Sequence, residues 1–306
     1  MKTVVRVVSL PDAHPRRERF RATAPGHVDW SFFDAATTLS TEDDIAYSKH
    51  GARIAQGREL TKGEIGCFVS HHRLWKMLLA SDADRMLVLE DDVFVDWPAL
   101  LPILDAAFPP GMDYVRLYAK RLAPARELGW FLGKRLIQFL HYVHGTQAYL
   151  LTREGAARLT RAARSIQRPV DDFMDRAWHH GVPSFALYPF PVIELALSSS
   201  IGGLERYQSP PLSAVDRMRR VHYRLTDKVQ RVLYAAREKS PAAVVRPSEL
   251  SGVIPHGTPQ ELQRRIRAAQ SVGAPAGRSS AGTSDGSFEK SSSPSETKSR
   301  PARLTR

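Results

Sequence analysis

Apolar and polar positions change their period several times along the first two hundred residues. Residues 4–10, VVRVVSL, are rich in β-branched side chains and stop at Pro11, which predicts an opening strand. Residues 16–24 can form the helix behind it. Thr61, Lys62, Gly63 and Glu64 have the spacing of a capping box. After them Ile65, Phe68, Val69, Leu74, Met77 and Leu78 fall largely on one helical face. Residues 86–89, MLVL, predict a short buried strand that ends in three consecutive acids, Glu90, Asp91 and Asp92. Residues 114–118 and 147–152 predict two more strands, and residues 153–164 a helix. Strands alternating with helices predict an α/β domain over residues 1–202 with a mainly parallel sheet. Such a sheet puts ligands at the carboxyl ends of its strands.

The pattern changes after residue 202. Residues 210–240 read as one amphipathic helix, with Met218, Val221, Leu225, Val229, Val232 and Ala236 recurring every three or four positions. Arg217, Arg219, Arg220, Arg224, Lys228 and Arg231 occupy the other positions. Residues 203–240 are thus a basic helical appendage. Residues 241–306 are dominated by Pro, Ser, Gly, Ala and charges, a composition that predicts a largely disordered tail with a short helix at 259–270.

Charge and cysteine content narrow the function classes. The net charge of +12 divides unevenly: residues 203–306 hold 19 Lys and Arg against 9 Asp and Glu, while residues 1–202 hold 25 against 23. A protein built to grip nucleic acid would carry its basic charge beside its site, so no nucleic-acid partner is expected. The single cysteine, Cys67, excludes an intramolecular disulfide framework and favours a reducing compartment. The apolar start is too short for a signal-peptide core. No stretch approaches the ~18 apolar residues of a membrane-spanning helix.

Three carboxylates in a row at the end of a buried strand repel one another unless a cation compensates. Carboxylate oxygens suit Mg²⁺ or Mn²⁺, which commonly bridge protein carboxylates to phosphate. Alternation along an extended segment turns Glu90 and Asp92 the same way. Asp92 is the first candidate for a direct metal ligand, with Glu90 beside it. Glu90 or Asp91 would then reach the donor's ribose or a metal-bound water. A solvated acidic turn would leave the same pattern, so spacing alone does not decide.

The stretch 60–93, LTKGEIGCFVSHHRLWKMLLASDADRMLVLEDDV, closely resembles the signature of glycosyltransferase family 25, the lipooligosaccharide galactosyltransferase type. Its Gly-Glu-x-Gly-Cys element, Ser-His pair, Trp and Leu-Glu-Asp-Asp run are all present. Three more segments match in order: Ser9-Leu10 with residues 16–20, Gly145-Thr146-Gln147-Ala148-Tyr149-Leu150 with Gly155-Ala156, and Pro169-Val170-Asp171-Asp172. The resemblance covers residues 3–202. It implies a GT-A-like, Rossmann-type mixed sheet flanked by helices, a nucleotide-sugar donor, a metal on the acidic motif, and inversion at the anomeric carbon. Galactose from a UDP-hexose, passed to a lipopolysaccharide or lipooligosaccharide glycan, is the activity it suggests. Ser9 departs from the family's usual Asn, which weakens a base-contact role there. Residues 128–143 have no counterpart in that pattern and are where acceptor choice is expected.

Inverting transfer needs a base for the acceptor hydroxyl and positive charge on the leaving diphosphate. Asp171 and Asp172 are the base candidates, with Asp172 slightly preferred; the alternative is that both cap a helix. Arg16 and Arg17 are diphosphate candidates, or else an exposed helical face. Gly145 and Thr146 are expected to let the backbone approach the donor. His71 is a candidate metal or phosphate contact, whereas His72, Gly66, Cys67, Trp75 and Tyr149 are expected to pack. The helix at 216–239 suits an anionic membrane surface, which predicts a cytoplasmic enzyme lying on the inner face of a membrane. It could instead pack its apolar stripe on the enzyme. A metal-dependent nucleotidyl- or phosphoryl-transfer enzyme is the competing class.

Overall fold

The computed structural model describes residues 1–195, 211–237 and 244–246. Of the tail expected from residue 241, only 244–246 are described, and the rest, with the short helix expected at 259–270, lies outside the described residues.

Nine strands form one twisted sheet. Third from one edge is β4 (Arg85–Glu90), paired in parallel with β1 (Thr3–Ser9), which pairs in parallel with β2 (Trp30–Asp34) at that edge. On its other side β4 meets β9 (Ala148–Thr152), antiparallel, followed by β6 (Tyr114–Arg116), β11 (Ser184–Tyr188), and the hairpin β7 (Ala125–Phe131) and β8 (Lys134–Phe139). The short strand β13 (Val244–Val245) closes that edge by pairing antiparallel with β7. The mixed sheet flanked by helices is therefore present. The narrower expectation of a mainly parallel sheet is wrong: only the β2-β1-β4 flank and the β11–β6 pair are parallel. β9 returns against β4, and the β7–β8 hairpin can only be antiparallel.

Helices on both faces explain the unbroken apolar run of β4. Met86 and Val88 enter the core beneath α3 (Lys62–Ala80), with Phe68, Leu74, Trp75 and Tyr149. Leu87 and Leu89 enter the opposite core, with Val5, Val7, Leu150 and Leu100 of α4 (Trp97–Asp105). A strand covered on both faces has no polar side to present. Helix α3 begins with the expected capping box, Thr61 accepting from the Glu64 amide and Glu64 reaching back to Thr61. At Gly66 a Cβ would lie 2.3 Å from the Ala36 carbonyl oxygen, so only glycine lets α3 sit this close to the chain after β2. Ser70 donates to the Gly66 carbonyl and accepts from the Ala36 amide, both at 2.8 Å, and seals this contact.

The remaining elements frame the site. They are α1 (His14–Thr23), α2 (Lys49–Gln56), β5 (Val93–Val95), α5 (Arg153–Ala162), α6 (Val170–Met174), α7 (Ala177–His180) and β12 (Val192–Glu194), with the short parallel pair β3 (Ala46–Tyr47) and β10 (Ser165–Ile166), and β5 pairs antiparallel with β12. The appendage is a 24-residue helix, α8 (Ala214–Arg237). Its packed side is polar and aromatic: Arg220 donates to two carbonyls of α2, Tyr223 accepts from Arg168, and Asp227 receives Arg176. The apolar stripe faces outward, with Met218 71%, Leu225 57%, Val229 55% and Val232 56% exposed. Among the described residues, then, the stripe is not packed on the enzyme, and only Val221 and Leu225 border the cleft beside α2 and α6.

Candidate active site

The three acids at the end of β4 occupy three different environments. Asp91 is buried and committed: Ser9 Oγ donates to it at 2.6 Å and Arg16 at 3.1 Å. Arg17 ties down the other side of Ser9, donating to its hydroxyl at 3.1 Å and its carbonyl at 3.0 Å, and pairs with Asp34. Arg17 thus fastens α1 to the ends of β1 and β2, while Arg16 alone of the two reaches the acids. Glu90 accepts from Thr146 Oγ1 at 2.7 Å. Asp92 has one oxygen 4.0 Å from Arg16 and the other, Oδ1, buried without a hydrogen-bond partner. Burial first, then the charges of Glu90, Asp91 and Glu194, push the Asp92 carboxyl up to about 7, with only Arg16 opposing.

His71 is fully buried on α3. Its Nδ1 lies 2.8 Å from the Tyr149 hydroxyl, which also accepts from Trp75 Nε1 at 3.2 Å. The arrangement that leaves the buried phenolic proton with an acceptor has Tyr149 donating to Nδ1. The imidazole proton is then on Nε2, which is buried 3.8 Å from Glu90 Oε1 and has no hydrogen-bond partner. The ligand atoms of Cys67, His71 and Glu90 lie within 4.8 Å of one another, so Cys67 is closer to the site than its expected packing role implied. Its thiol is pushed well up, by burial first and then by Glu90 and Asp171, and stays neutral.

The loop entering β9 joins the acids to α6. His144, Gly145, Thr146 and Gln147 contact Asp171, Asp171, Glu90 and Glu194 respectively. Gly145 has φ +82°, and a Cβ there would lie 2.6 Å from Gln147 Oε1 and 2.7 Å from the Tyr118 ring, so the position demands glycine. A buried pair behind the loop holds its shape. Asp175 accepts from the amides of Val143 and His144 at 2.9 and 2.7 Å and pairs with Arg116. Arg116 donates in turn to the carbonyls of His144 and Gly145, at 3.1 and 2.6 Å.

The two α6 aspartates diverge. Asp171 faces the loop, accepting from the Gly145 amide at 3.2 Å and lying 3.6 Å from His144 Nδ1. Burial works against its charge, but the His144 bond and charge and the two amide donors hold it down at about 2. The same contact holds His144 above the ordinary histidine range, although burial opposes it. Asp172 turns the other way, accepting from Gln56 at 2.6 Å and pairing with Arg168 at 2.7 Å.

Several residues of this site carried no local sequence signal. Glu194, at the end of β12, accepts from Tyr118 at 2.6 Å and adds a charge beside Asp92. It arrives there because β12 pairs with β5, immediately after the acidic run. Arg116 and Asp175 likewise act only through the loop they hold, and His144 enters the site as part of that loop, against Asp171.

The sequence model of glycosyltransferase family 25 (LPS biosynthesis protein) matches residues 2–106, from β1 through the acidic run to the end of α4. Over that third of its length the chain is similar to glycosyltransferase family 25. Among its relatives, a glycosyltransferase 25 family member of Anopheles gambiae is 34% identical over 159 residues, 48% of this chain and 26% of that protein. Procollagen galactosyltransferase 1-A of Xenopus laevis is 28% identical over 183 residues, 55% of this chain and 30% of that one. Inactive glycosyltransferase 25 family member 3 of Homo sapiens is 34% identical over 126 residues, 39% and 21% of the two chains. The aligned part of this chain thus corresponds to less than a third of each relative. Among solved structures, a Drosophila β-1,4-galactosyltransferase 7 mutant in complex with manganese, UDP-Gal and xylobiose has a TM-score of 0.35 at 12% identity, covering 72% of this chain and 80% of that one. Galactosyltransferase LgtC with donor and acceptor sugar analogues has a TM-score of 0.33 at 12% identity, covering 70% and 99%.

Proposed function

We propose that this chain is a metal-dependent inverting glycosyltransferase of family 25. It moves a hexose, with galactose favoured, from a UDP-hexose to a glycan of the lipopolysaccharide or lipooligosaccharide type. The observation that carries this reading is Asp92: a partly buried carboxyl among three other acids, raised to about 7, with one buried oxygen lacking any hydrogen-bond partner. Mn²⁺ or Mg²⁺ fits there, held by Asp92 with Glu90, because hard oxygen donors suit it and a dication offsets the burial and repulsion that raise the Asp92 carboxyl. When bound, the ion supplies charge to the donor's diphosphate. Arg16 brings further positive charge to the same edge, Thr146 holds Glu90 in place, His71 stands 3.8 Å from it as a further contact, and Gly145 leaves space for the donor.

Asp171 suits the base function better than Asp172, whose carboxylate is taken up by Arg168 and Gln56. A carboxylate held at about 2 is itself a weak proton acceptor, so the Asp171–His144 pair is the working unit. Neutral His144 takes the acceptor's proton and Asp171 stabilises the imidazolium that results.

Titration of the full chain with Mn²⁺ and a screen of nucleotide sugars test this reading. Binding of Mn²⁺ and release of nucleoside diphosphate are expected, with Asp92→Asn lowering turnover about 10²-fold or more. Release of pyrophosphate instead would establish nucleotidyl transfer. Turnover that persists in chelator would overturn the metal assignment.

The outward stripe of α8, flanked by Arg217, Arg219, Arg224 and Lys228, suits the anionic surface of a membrane, as in a peripheral enzyme on its cytoplasmic face. Among the described residues no helix is long and apolar enough to cross a bilayer. Met218→Glu with Val229→Glu should abolish cosedimentation with phosphatidylglycerol vesicles; retention of binding would refute the docking.

A further inference from the structure

Helices α2, α6 and α8 and the loop at Tyr142 line an open cavity of about 530 Å³, on the side of α6 that carries Asp172. Five cations line it, Arg168, Arg220, Arg224, Lys228 and Arg231, against two carboxylates, Asp172 and Asp227. Both carboxylates are already engaged. Asp172 pairs with Arg168, and Asp227 is held by Arg176, Trp178 and Tyr142, which accounts for none of the other four cations.

Those four have no carboxylate partner among the described residues. Arg220 donates to the carbonyls of Ile54 and Ala55 at 3.0 and 2.8 Å, the last turn of α2. Gly57 makes that approach possible, since a Cβ there would lie 2.9 Å from the Arg220 guanidinium carbon. Arg231 lies over the rings of Tyr142 and Trp178. Arg224 repels Arg220 and Lys228 adds to the same field. The floor is Arg168, 5% exposed and fixed by Asp172 and Tyr223. Uncompensated guanidinium groups around a buried, oriented arginine are suited to a phosphate, which accepts their paired donors.

The cavity adjoins the proposed base. Asp172 on its wall is the neighbour of Asp171, and Tyr142 on its wall stacks on His144 with centroids 5.9 Å apart. We propose that this cavity is an acceptor subsite that takes a phosphate-bearing sugar of the glycan being extended. The assignment rests on the glycosyltransferase reading above and adds the acceptor's chemical class to it.

Calorimetric titration of the full-length chain tests it, with saturating UDP and Mn²⁺ keeping the donor site filled. Glucose 6-phosphate, glucose and inorganic phosphate are the probes, and Arg224→Gln with Lys228→Gln is the variant; both side chains are exposed, so the fold is retained. Glucose 6-phosphate is expected to bind at least tenfold more tightly than glucose or inorganic phosphate, with the double variant losing at least tenfold. Equal affinity for the two sugars, inorganic phosphate binding as well as the sugar phosphate, or an unaffected variant overturns the subsite. A variant that loses phosphatidylglycerol vesicles but keeps sugar phosphate also overturns it, because the charges then serve lipid. Since the readout is binding, loss of the transferase reading would appear separately, as no donor turnover in the wild type.

Discussion

Replacing Asp175 by Asn removes one charge from a pair whose side chains are at most 1% exposed. Both carboxylate oxygens are occupied, one by Arg116 and the other by the amides of Val143 and His144. An amide can satisfy only one of those sides, because its NH₂ group must face either the guanidinium or the two N–H donors. Burial already pushes the Asp175 carboxyl up and Arg116 pulls it back, so the charge is sustained by this partner. Leaving Arg116 buried and unpaired costs about 3–5 kcal/mol. For a domain of this size each kcal/mol shifts Tm by roughly 2–4 °C, so a fall of roughly 6–20 °C is expected. Differential scanning calorimetry of Asp175→Asn measures it, with Glu154→Gln as control. That variant breaks an exposed pair with Arg158 one helical turn away, worth about 0.3–0.5 kcal/mol. If both variants melt within 2 °C of the wild type, roughly the control's own shift, the pair does not hold the 143–147 loop and the reasoning fails.

Gly145→Ala should cost about 1–2 kcal/mol from the left-handed backbone alone. It should also lower kcat by about 10²-fold, since a displacement of the loop misplaces the groups that contact substrate; a variant with wild-type kcat would show that the loop tolerates the Cβ. With saturating Mn²⁺, kcat/KM should rise with pH through a pKa above the ordinary histidine value, as His144 loses its proton. His144→Gln should remove that limb, whereas an unchanged profile would return the base to another group. Burial holds His180 down at about 3, so between pH 6.5 and 3 the unfolded chain takes up a proton that the folded chain excludes. Stability should therefore fall on acidification by about 1.4 kcal/mol per pH unit from this group. Urea titrations of His180→Gln should show a shallower slope across that window; parallel slopes would remove His180 from the account.

Residues 60–93 made much of the fold and part of the site legible. The capping box, the one-sided apolar helix and the apolar run before the acids each have a local cause, and each appears as expected in α3 and β4. The placement of Glu90, Asp91 and Asp92 together at a strand's carboxyl end follows from the same run. The amphipathic period of α8 was equally plain, but its direction was not. Periodicity shows that a stripe exists; only the neighbours decide which face is covered. Here carbonyls of α2 and the aromatic and charged groups of Arg168, Arg176 and Trp178 outcompeted the stripe for contact.

The division between Asp171 and Asp172 had the same origin. Adjacent carboxylates look alike in sequence, yet one reaches the 144–147 loop while its neighbour meets Arg168 and Gln56 on the other side. Glu194 and the Arg116–Asp175 pair depend on strand pairings between segments far apart in the chain, which no local pattern encodes. The sequence by itself determined where the charge and the strand ends are, because period, capping and turn chemistry act over a few residues. Only the tertiary structure decided which of those charges are neutralised and which remain free to bind a ligand, because that depends on partners from the rest of the chain and on the loss of water around them.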